Sequence, residues 1–402
     1  MTLEDWIVGQ RRHAAAMMRR SISPASVKTR PRFFQTIVPK AGSVVASPVL
    51  AAYDPEPDYF FHWYRDSAVV MDALRLVVDE IPEARSLFDD FVRFSLDLAS
   101  LDGRTAPRPR AEPDFVQFLR RDLDAAHGEA IGAETRVNPD GTLDITDWPR
   151  PQHDGPALRA LMLMRWGVPG GKAARLLHQD LSFVLHHARR PCFGVWEEER
   201  GLHYYVSRVS AAALAEGAAW LSQQGEHEFA ACCRREAETI GQVLEDWWLP
   251  EDGFIRAHIL DVPRPGKELD VSVILAANHA AVPPDEKLFA TLARLEELFG
   301  ALYPINHERA APAIGRYAGD RYYGGGAWYA ATLAAAEFCY RAGDLARGDA
   351  YMETVRAFTP ESGDMSEQFD RETGAQTSAR HLAWSYAAFI TAAAERTRAA
   401  SG

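Results

Sequence analysis

Apolar residues recur at helical spacing through residues 156–166, 209–224, 228–248, 287–302, 328–342 and 378–396, in stretches rich in Ala and Leu and too long for strands. The spacing predicts a helix over each. The first 23 residues share the pattern, with two Arg pairs after an apolar-acidic opening. They show neither an apolar leader core nor a small-residue cleavage site, and so predict a first amphipathic helix. Alternating apolar and polar runs, the mark of half-buried strands, are nearly absent. The stretches 51–58, 104–113, 137–151 and 315–326 are irregular and carry Gly, Pro, Asp and aromatics. Loops of such length in a compact helical protein tend to bear function. Helix, loop and helix alternate without a copied consensus, and no Pro/Gly/Ser-rich linker divides the chain. The pattern predicts one all-α domain over residues 1–402, a toroid of helical hairpins with function on the loops at one end.

Composition narrows the chemistry. The chain has 402 residues, 47% hydrophobic and 25% charged, with a net charge of −12. That is enough apolar material for a large core, and an acidic balance that argues against a nucleic-acid partner, whose phosphates need a basic footprint. No run reaches the roughly 18 uninterrupted apolar residues of a spanning helix, so no membrane partner is expected. Cys232 and Cys233 are adjacent, while Cys192 and Cys339 stand alone. This is neither a disulfide framework nor a metal or redox pair, and a reducing cytoplasm is the expected location. The stretch from Gly167 to Lys172 misses the phosphate-loop spacing by one residue and continues with Ala173 in place of Ser or Thr. His186 and His187 are adjacent rather than one helical turn apart, so no metal site is indicated. The Gly324-Gly325-Gly326 run reads as a flexible turn, and no G-x-S-x-G nucleophile motif occurs. No cofactor is expected.

Five places set Trp and Tyr beside carboxylates or Arg in loop-like sequence: 58–66, 148–155, 196–199, 316–328 and 366–370. Singly, a Trp is core and a Glu triplet is a solvated helix face. Together they suit a sugar pocket, in which aromatic faces cover the apolar faces of the rings while Arg and carboxylates take the hydroxyls. Glu-bearing loops far apart in sequence also suit glycoside hydrolysis, where one carboxylic acid protonates the leaving oxygen and a second carboxylate activates water or attacks carbon.

At these residues the sequence resembles the catalytic domain of glycoside hydrolase family 15, the glucoamylase family. Residues 41–48 and 57–67 are similar to its V-V-A-S-P and P-D-Y-F-x-x-W-x-R-D-S segments, and residues 150–160 to its R-P-Q-x-D-G-P-A-L-R-A block. Trp196-Glu197-Glu198, the stretch from Gly315-Arg316-Tyr317 to Trp328, Ser366-Glu367-Gln368-Phe369-Asp370 and Trp384-Ser385-Tyr386-Ala387-Ala388 complete the match along almost the whole chain.

The resemblance implies an (α/α)6 barrel, six inner helices ringed by six outer ones, with the active site at one mouth. It implies an inverting exo-hydrolase that releases β-glucose from non-reducing ends, with Glu197 as general acid and Glu367 as general base. Inversion requires their carboxyl groups to lie roughly 6.5–9.5 Å apart. Glu197 is expected to be kept protonated by burial near Trp196 and by the like charge of Glu198, while Glu367 stays ionised. Gln368, Tyr59 or the pocket's backbone is expected to hold Glu367 and its water. Arg65, Asp66, Arg316 and Glu198 would bind the terminal glucose. Trp63, Trp148 and Trp328 would wall it, although Trp328 fits a loop buttress equally well. His153 reads as a rim or leaving-sugar contact, and Asp154 as a helix N-cap.

Three departures from fungal glucoamylases stand around the leaving group: Gly194 in place of an Asp, His203-Tyr204-Tyr205 in place of a small-hydroxyl-and-Phe segment, and Gly324-Gly325-Gly326-Ala327-Trp328 in place of N-G-N-P-W. They bear on linkage and chain length rather than on the reaction. No starch-binding or β-sandwich domain fits beside the catalytic domain in 402 residues, so attack on starch granules is not expected. The expected substrate is a soluble α-1,4-linked gluco-oligosaccharide. An α-1,6-linked isomalto- or dextran-type end comes second and trehalose third, and a catalytically silent sugar sensor is the rival from another class.

Overall fold

The computed structural model describes residues 1–52, 55–168 and 170–401. Residues 53 and 54 of the irregular 51–58 stretch, residue 169 of the failed phosphate loop and residue 402 lie outside the described residues. Twelve α-helices occur among them: α1 (Leu3–Arg19), α2 (Tyr64–Leu74), α3 (Ala84–Leu98), α4 (Asp154–Arg165), α5 (Gly171–His187), α6 (Tyr204–Gln223), α7 (His227–Glu245), α8 (Ser272–His279), α9 (Glu286–Leu302), α10 (Tyr329–Arg341), α11 (Leu345–Phe358) and α12 (Ala383–Ser401).

The even-numbered helices form a closed inner ring: α2 packs on α4, α4 on α6, α6 on α8, α8 on α10, α10 on α12 and α12 back on α2. The odd-numbered helices lie outside, with α1 on α12, α5 on α4 and α6, α7 on α6, α9 on α8 and α11 on α10. This is the (α/α)6 barrel. Sequence explains the division. In α7 the buried positions are Ala230, Cys233, Ala237, Ile240 and Leu244, one stripe at spacings of three and four, as expected of a helix with one side in water. An inner helix meets neighbours on every side, and α10 is accordingly buried from Tyr329 through Ala336 and again at Phe338, Cys339 and Tyr340. Three outer helices start on side-chain caps, Thr2 for α1, Asp285 for α9 and Asp344 for α11. Such caps satisfy N–H groups that the helix itself leaves unpaired. The inner helices α2, α6 and α10 have no side-chain cap and are fed by short strands, His62–Trp63, Arg200–His203 and Ala327–Trp328.

Each of the sequence's five aromatic-carboxylate clusters lies in, or runs out of, a connection from an outer helix to the next inner one. Those connections cross one end of the ring, where the inner helices begin. Three strand pairings tie them together: His62 opposite Val137, Trp328 opposite Gln368, and His203 opposite His258. Arg65 and Asp66, set in loop-like sequence, fall in the first turn of α2.

Candidate active site

At this end a cavity of about 220 Å³ is lined by Tyr59, Trp63, Arg65, Asp66, Trp148, Glu197, Glu198, Arg316, Trp328 and Glu367, and also by Trp196, Tyr322, Leu382 and Trp384. It gathers every candidate residue except Gln368 and His153.

Glu197 sits at the tip of a turn whose backbone N–H reaches the Gly194 carbonyl at 3.0 Å. Its φ of +63° is left-handed, a strained conformation for a side chain of this size. The strain aims the carboxylate at three donors. Arg65 Nη2 donates to Oε1 at 2.7 Å, Trp63 Nε1 to the same oxygen at 3.0 Å, and Trp148 Nε1 to Oε2 at 2.5 Å. Buried Arg65 is shared with Asp154 at 3.2 Å and lies 3.5 Å from Asp66. Burial, opposed by Arg65 and reinforced by the nearby Glu197 charge, pushes the Asp66 carboxyl up to about 6.

Glu198 faces a different set. Arg316 Nη2 donates at 2.8 Å, Lys267 Nζ at 2.5 Å and the Tyr317 hydroxyl at 2.5 Å. Burial alone would raise this carboxyl, but Arg316, Lys267 and Tyr317 hold it below the usual range. Arg316 is fixed in turn by Asp320, at 2.7 and 2.5 Å. The Glu198 charge is therefore compensated by two cations. Trp196 turns away as well, donating Nε1 to both oxygens of buried Asp270, at 3.0 and 2.8 Å.

Glu367 lines the same cavity and is buried. Ser378 donates its hydroxyl to Oε2 from a residue that is itself left-handed, at φ +63°. Burial pushes the carboxyl up to about 7, against the downward pull of Ser378, Arg316 and Tyr59. Loss of solvent thus outweighs its donors, and the base is ionised mainly above about that pH. The Tyr59 hydroxyl also meets that of Tyr322 at 2.6 Å. Gln368 is placed elsewhere. Its Oε1 accepts from the Gly326 N–H at 3.2 Å, and it does not line the cavity.

Two further readings change. His153 is buried against Phe183 and His187, with ring centroids at 5.8 and 5.4 Å, and burial lowers its pKa to about 4; it is core rather than rim. Asp154 caps nothing, since α4 has no side-chain cap; it lies in the first turn and pairs with Arg65. Trp328 both lines the cavity and buttresses it, 5.2 Å from Trp196. Gly194 leaves room for no side chain, because a Cβ there would come 2.4 Å from His203 Nδ1. Sequence reasoning missed Ser378, Lys267 and Asp270, none of which lies within a recognisable block. Tyr322 and Trp384 stood inside such blocks and could have been named.

A family model described as Glycosyl hydrolases family 15 matches residues 127–344 and 345–394. The chain belongs to this family. It is therefore a glycoside hydrolase, and the family match runs through both Glu197 and Glu367. Glucoamylase 1 of Rhizopus oryzae is 27% identical over 97% of this chain and 70% of its own length. The probable glucoamylase of Schizosaccharomyces pombe is 28% identical over 87% of this chain and 84% of its own. The solved glucoamylase of Hormoconis resinae superposes with a TM-score of 0.81 at 26% identity, covering 99% of this chain and 74% of that one. Among the described residues no helix is long and apolar enough to cross a membrane, and no cluster of His, Cys, Asp and Glu is placed to hold a metal ion.

Proposed function

We propose that this family 15 chain is an exo-acting glucoamylase that removes glucose from the non-reducing ends of soluble α-1,4-linked gluco-oligosaccharides, with inversion. The observation that carries the reading is one small cavity that sets Glu197 and Glu367 among unlike partners and surrounds them with charged and aromatic side chains. Glu197 gives its proton to the glycosidic oxygen as the bond to the anomeric carbon breaks. Charge left on Glu197 then meets three fixed N–H donors, so these contacts strengthen as the reaction proceeds. Glu367, once ionised, takes a proton from water as its oxygen attacks the anomeric carbon from the other face. A carboxyl titrating near 7 is a stronger base than an ordinary carboxylate. Asp66, Arg65, Arg316 and Glu198 bind the hydroxyls of the terminal glucose, each charged hydrogen bond being worth about 1.5–3 kcal/mol.

Time-resolved NMR of maltotriose hydrolysis tests this reading. β-Glucose is expected before mutarotation; α-glucose as first product ends the inverting assignment, and no glucose ends the activity. The relatives named as glucoamylases support the α-1,4 substrate. We further read residues 1–402 as one domain, since the N-terminal α1 packs on the C-terminal α12; two separate calorimetric transitions would refute that. A cytoplasmic location accords with four free cysteines, and thiol titration of protein drawn from its native compartment tests it.

A further inference from the structure

The start of α2 divides two cavities. Trp63, Arg65 and Asp66 line the catalytic one, while Tyr64, between them in sequence, lines a separate cavity of about 330 Å³ bounded by α3, α4, α5 and residues 128–132. The two share no lining residue. Ala99, Gly128, Glu129 and Gln179 are exposed at the rim, so the second cavity is open to solvent. Three polar groups in it lack partners. Tyr64 and Ser95 are 3% and 1% exposed, yet neither hydroxyl makes a hydrogen bond among the described residues. Arg159, whose guanidinium lies 5.5 Å from the Tyr64 ring, gives Nε and Nη2 to Asp180 at 2.9 and 2.7 Å. Its Nη1 has no partner among the described residues. Native interiors leave few buried polar groups unpaired, because each such group loses its water and gains nothing in return. The cavity these groups line is the space from which partners can come.

Charge and size narrow the occupant. Every ionisable group on the cavity is already paired: Arg159 with Asp180, Glu129 with His186 at 3.3 Å, and His178 with Glu226 at 3.0 Å. No net charge is left to call for an ion. Three waters, at about 30 Å³ each, would satisfy the unpaired groups and fill roughly a quarter of the space. The volume instead falls at the lower end of the range of small-molecule sites, about 300–1,000 Å³. Ile131, Pro156 and Phe183 add apolar surface to the same lining. Hydroxyl and guanidinium groups beside apolar walls suit a small solute that carries several hydroxyls on a carbon frame. We propose that this cavity is a second, non-catalytic binding site for a neutral polyol of monosaccharide size, held by Tyr64, Ser95 and Arg159. The inference goes beyond the activity proposed above and does not depend on it. An occupant bonded to Tyr64 reaches the residue between Trp63 and Arg65, both of which donate to Glu197.

Methyl NMR of the full chain titrated with D-glucose tests the proposal, because each cavity holds its own reporter: Ile131 in this one and Leu382 in the catalytic one. The Ile131 methyl is expected to shift saturably, with half-saturation on the order of millimolar, as suits a small solute held by a few hydrogen bonds. Ala99→Trp fills the cavity with an indole from an exposed rim position and is expected to raise that half-saturation about tenfold, with any response at Leu382 unchanged. Ser95→Ala removes one hydroxyl without adding bulk and is expected to weaken binding about fivefold. Loss of affinity in either variant sustains the site. A shift at Leu382 alone, or at neither methyl, would mean that water alone occupies the cavity, and an Ile131 shift weakened by neither variant would put the binding elsewhere; each of these results overturns the proposal. None of them bears on hydrolysis, which maltotriose turnover decides separately.

Discussion

Glu197 and Glu367 face one cavity and are held by opposite means. Glu197 is surrounded by N–H donors, one of them a guanidinium, on a turn strained to present it. Glu367 is withdrawn from solvent and supported by the Ser378 hydroxyl, so that burial lifts it to about 7. The residue assigned the acid's work therefore has the environment that stabilises negative charge, and the one assigned the base's work has the environment that retains a proton. Each environment favours the state its residue reaches as the reaction proceeds: the acid ends as an anion, and the base ends protonated. Preorganisation for the product side of proton transfer, more than resting charge, distinguishes the two carboxyls.

The largest effect separates the two roles outright. Glu197→Gln and Glu367→Gln are each expected to reduce maltotriose hydrolysis by about 10²–10⁴-fold. With α-glucosyl fluoride, whose leaving group needs little protonation, the Glu197 variant is expected to recover much of its rate and the Glu367 variant none. The opposite pattern in steady-state assays would exchange the assignments. Next in size, Trp148→Phe keeps a ring in the wall but removes the N–H from Oε2 of Glu197. Loss of one hydrogen bond to a charged group predicts roughly a tenfold fall in kcat. An unchanged kcat with a raised KM would make Trp148 a binding wall only.

Ser378→Ala probes the other side. The serine donates to the Glu367 carboxylate and so favours its ionised form. Removing it raises the pKa of a base that must be ionised to act. The acid limb of the kcat/KM profile, near pH 7 in the parent, is expected to move upward by about one pH unit. No move would show that burial alone sets the titration, and a downward move that the serine favours the protonated form.

These contrasts also show what the sequence could reveal. α7 and α9 were legible because water lies on one side of them and the apolar stripe keeps helical spacing. α2 was hidden because its first turn carries Arg65, Asp66 and Ser67 into a buried site, and polar residues in a helix fully enclosed by neighbours imitate a loop. The carboxylates and aromatics of the cavity were legible because they stand in dense local clusters. Ser378, Lys267 and Asp270 were not, since each acts through a tertiary contact: Ser378 lies 11 residues beyond Glu367, and Lys267 is 69 residues from Glu198. His153 misled because its block borders the pocket while its side chain turns into the core between Phe183 and His187.

The smallest effect separates burial from function. Glu367 and Glu337 are both buried carboxyls pushed by loss of solvent from 4.5 to about 7, but Glu337 lies on α10 beneath the active site, accepting from Thr391 at 2.7 Å. For a carboxyl whose folded pKa is raised, both states are protonated well below pH 4.5 and the group adds no pH-dependent term there. Between 4.5 and about 7 the unfolded chain releases its proton while the folded chain retains it, so stability falls as pH rises, by on the order of 3 kcal/mol per group at most. Gln cannot ionise and escapes that loss. In both Glu367→Gln and Glu337→Gln, the melting temperature relative to the parent is therefore expected to rise by a few degrees from pH 4 to pH 8. Only the first is expected to cut hydrolysis by about 10²–10⁴-fold. A pH-independent difference would mean that neither carboxyl is raised in the folded chain; loss of activity in Glu337→Gln would extend the catalytic apparatus down into the barrel.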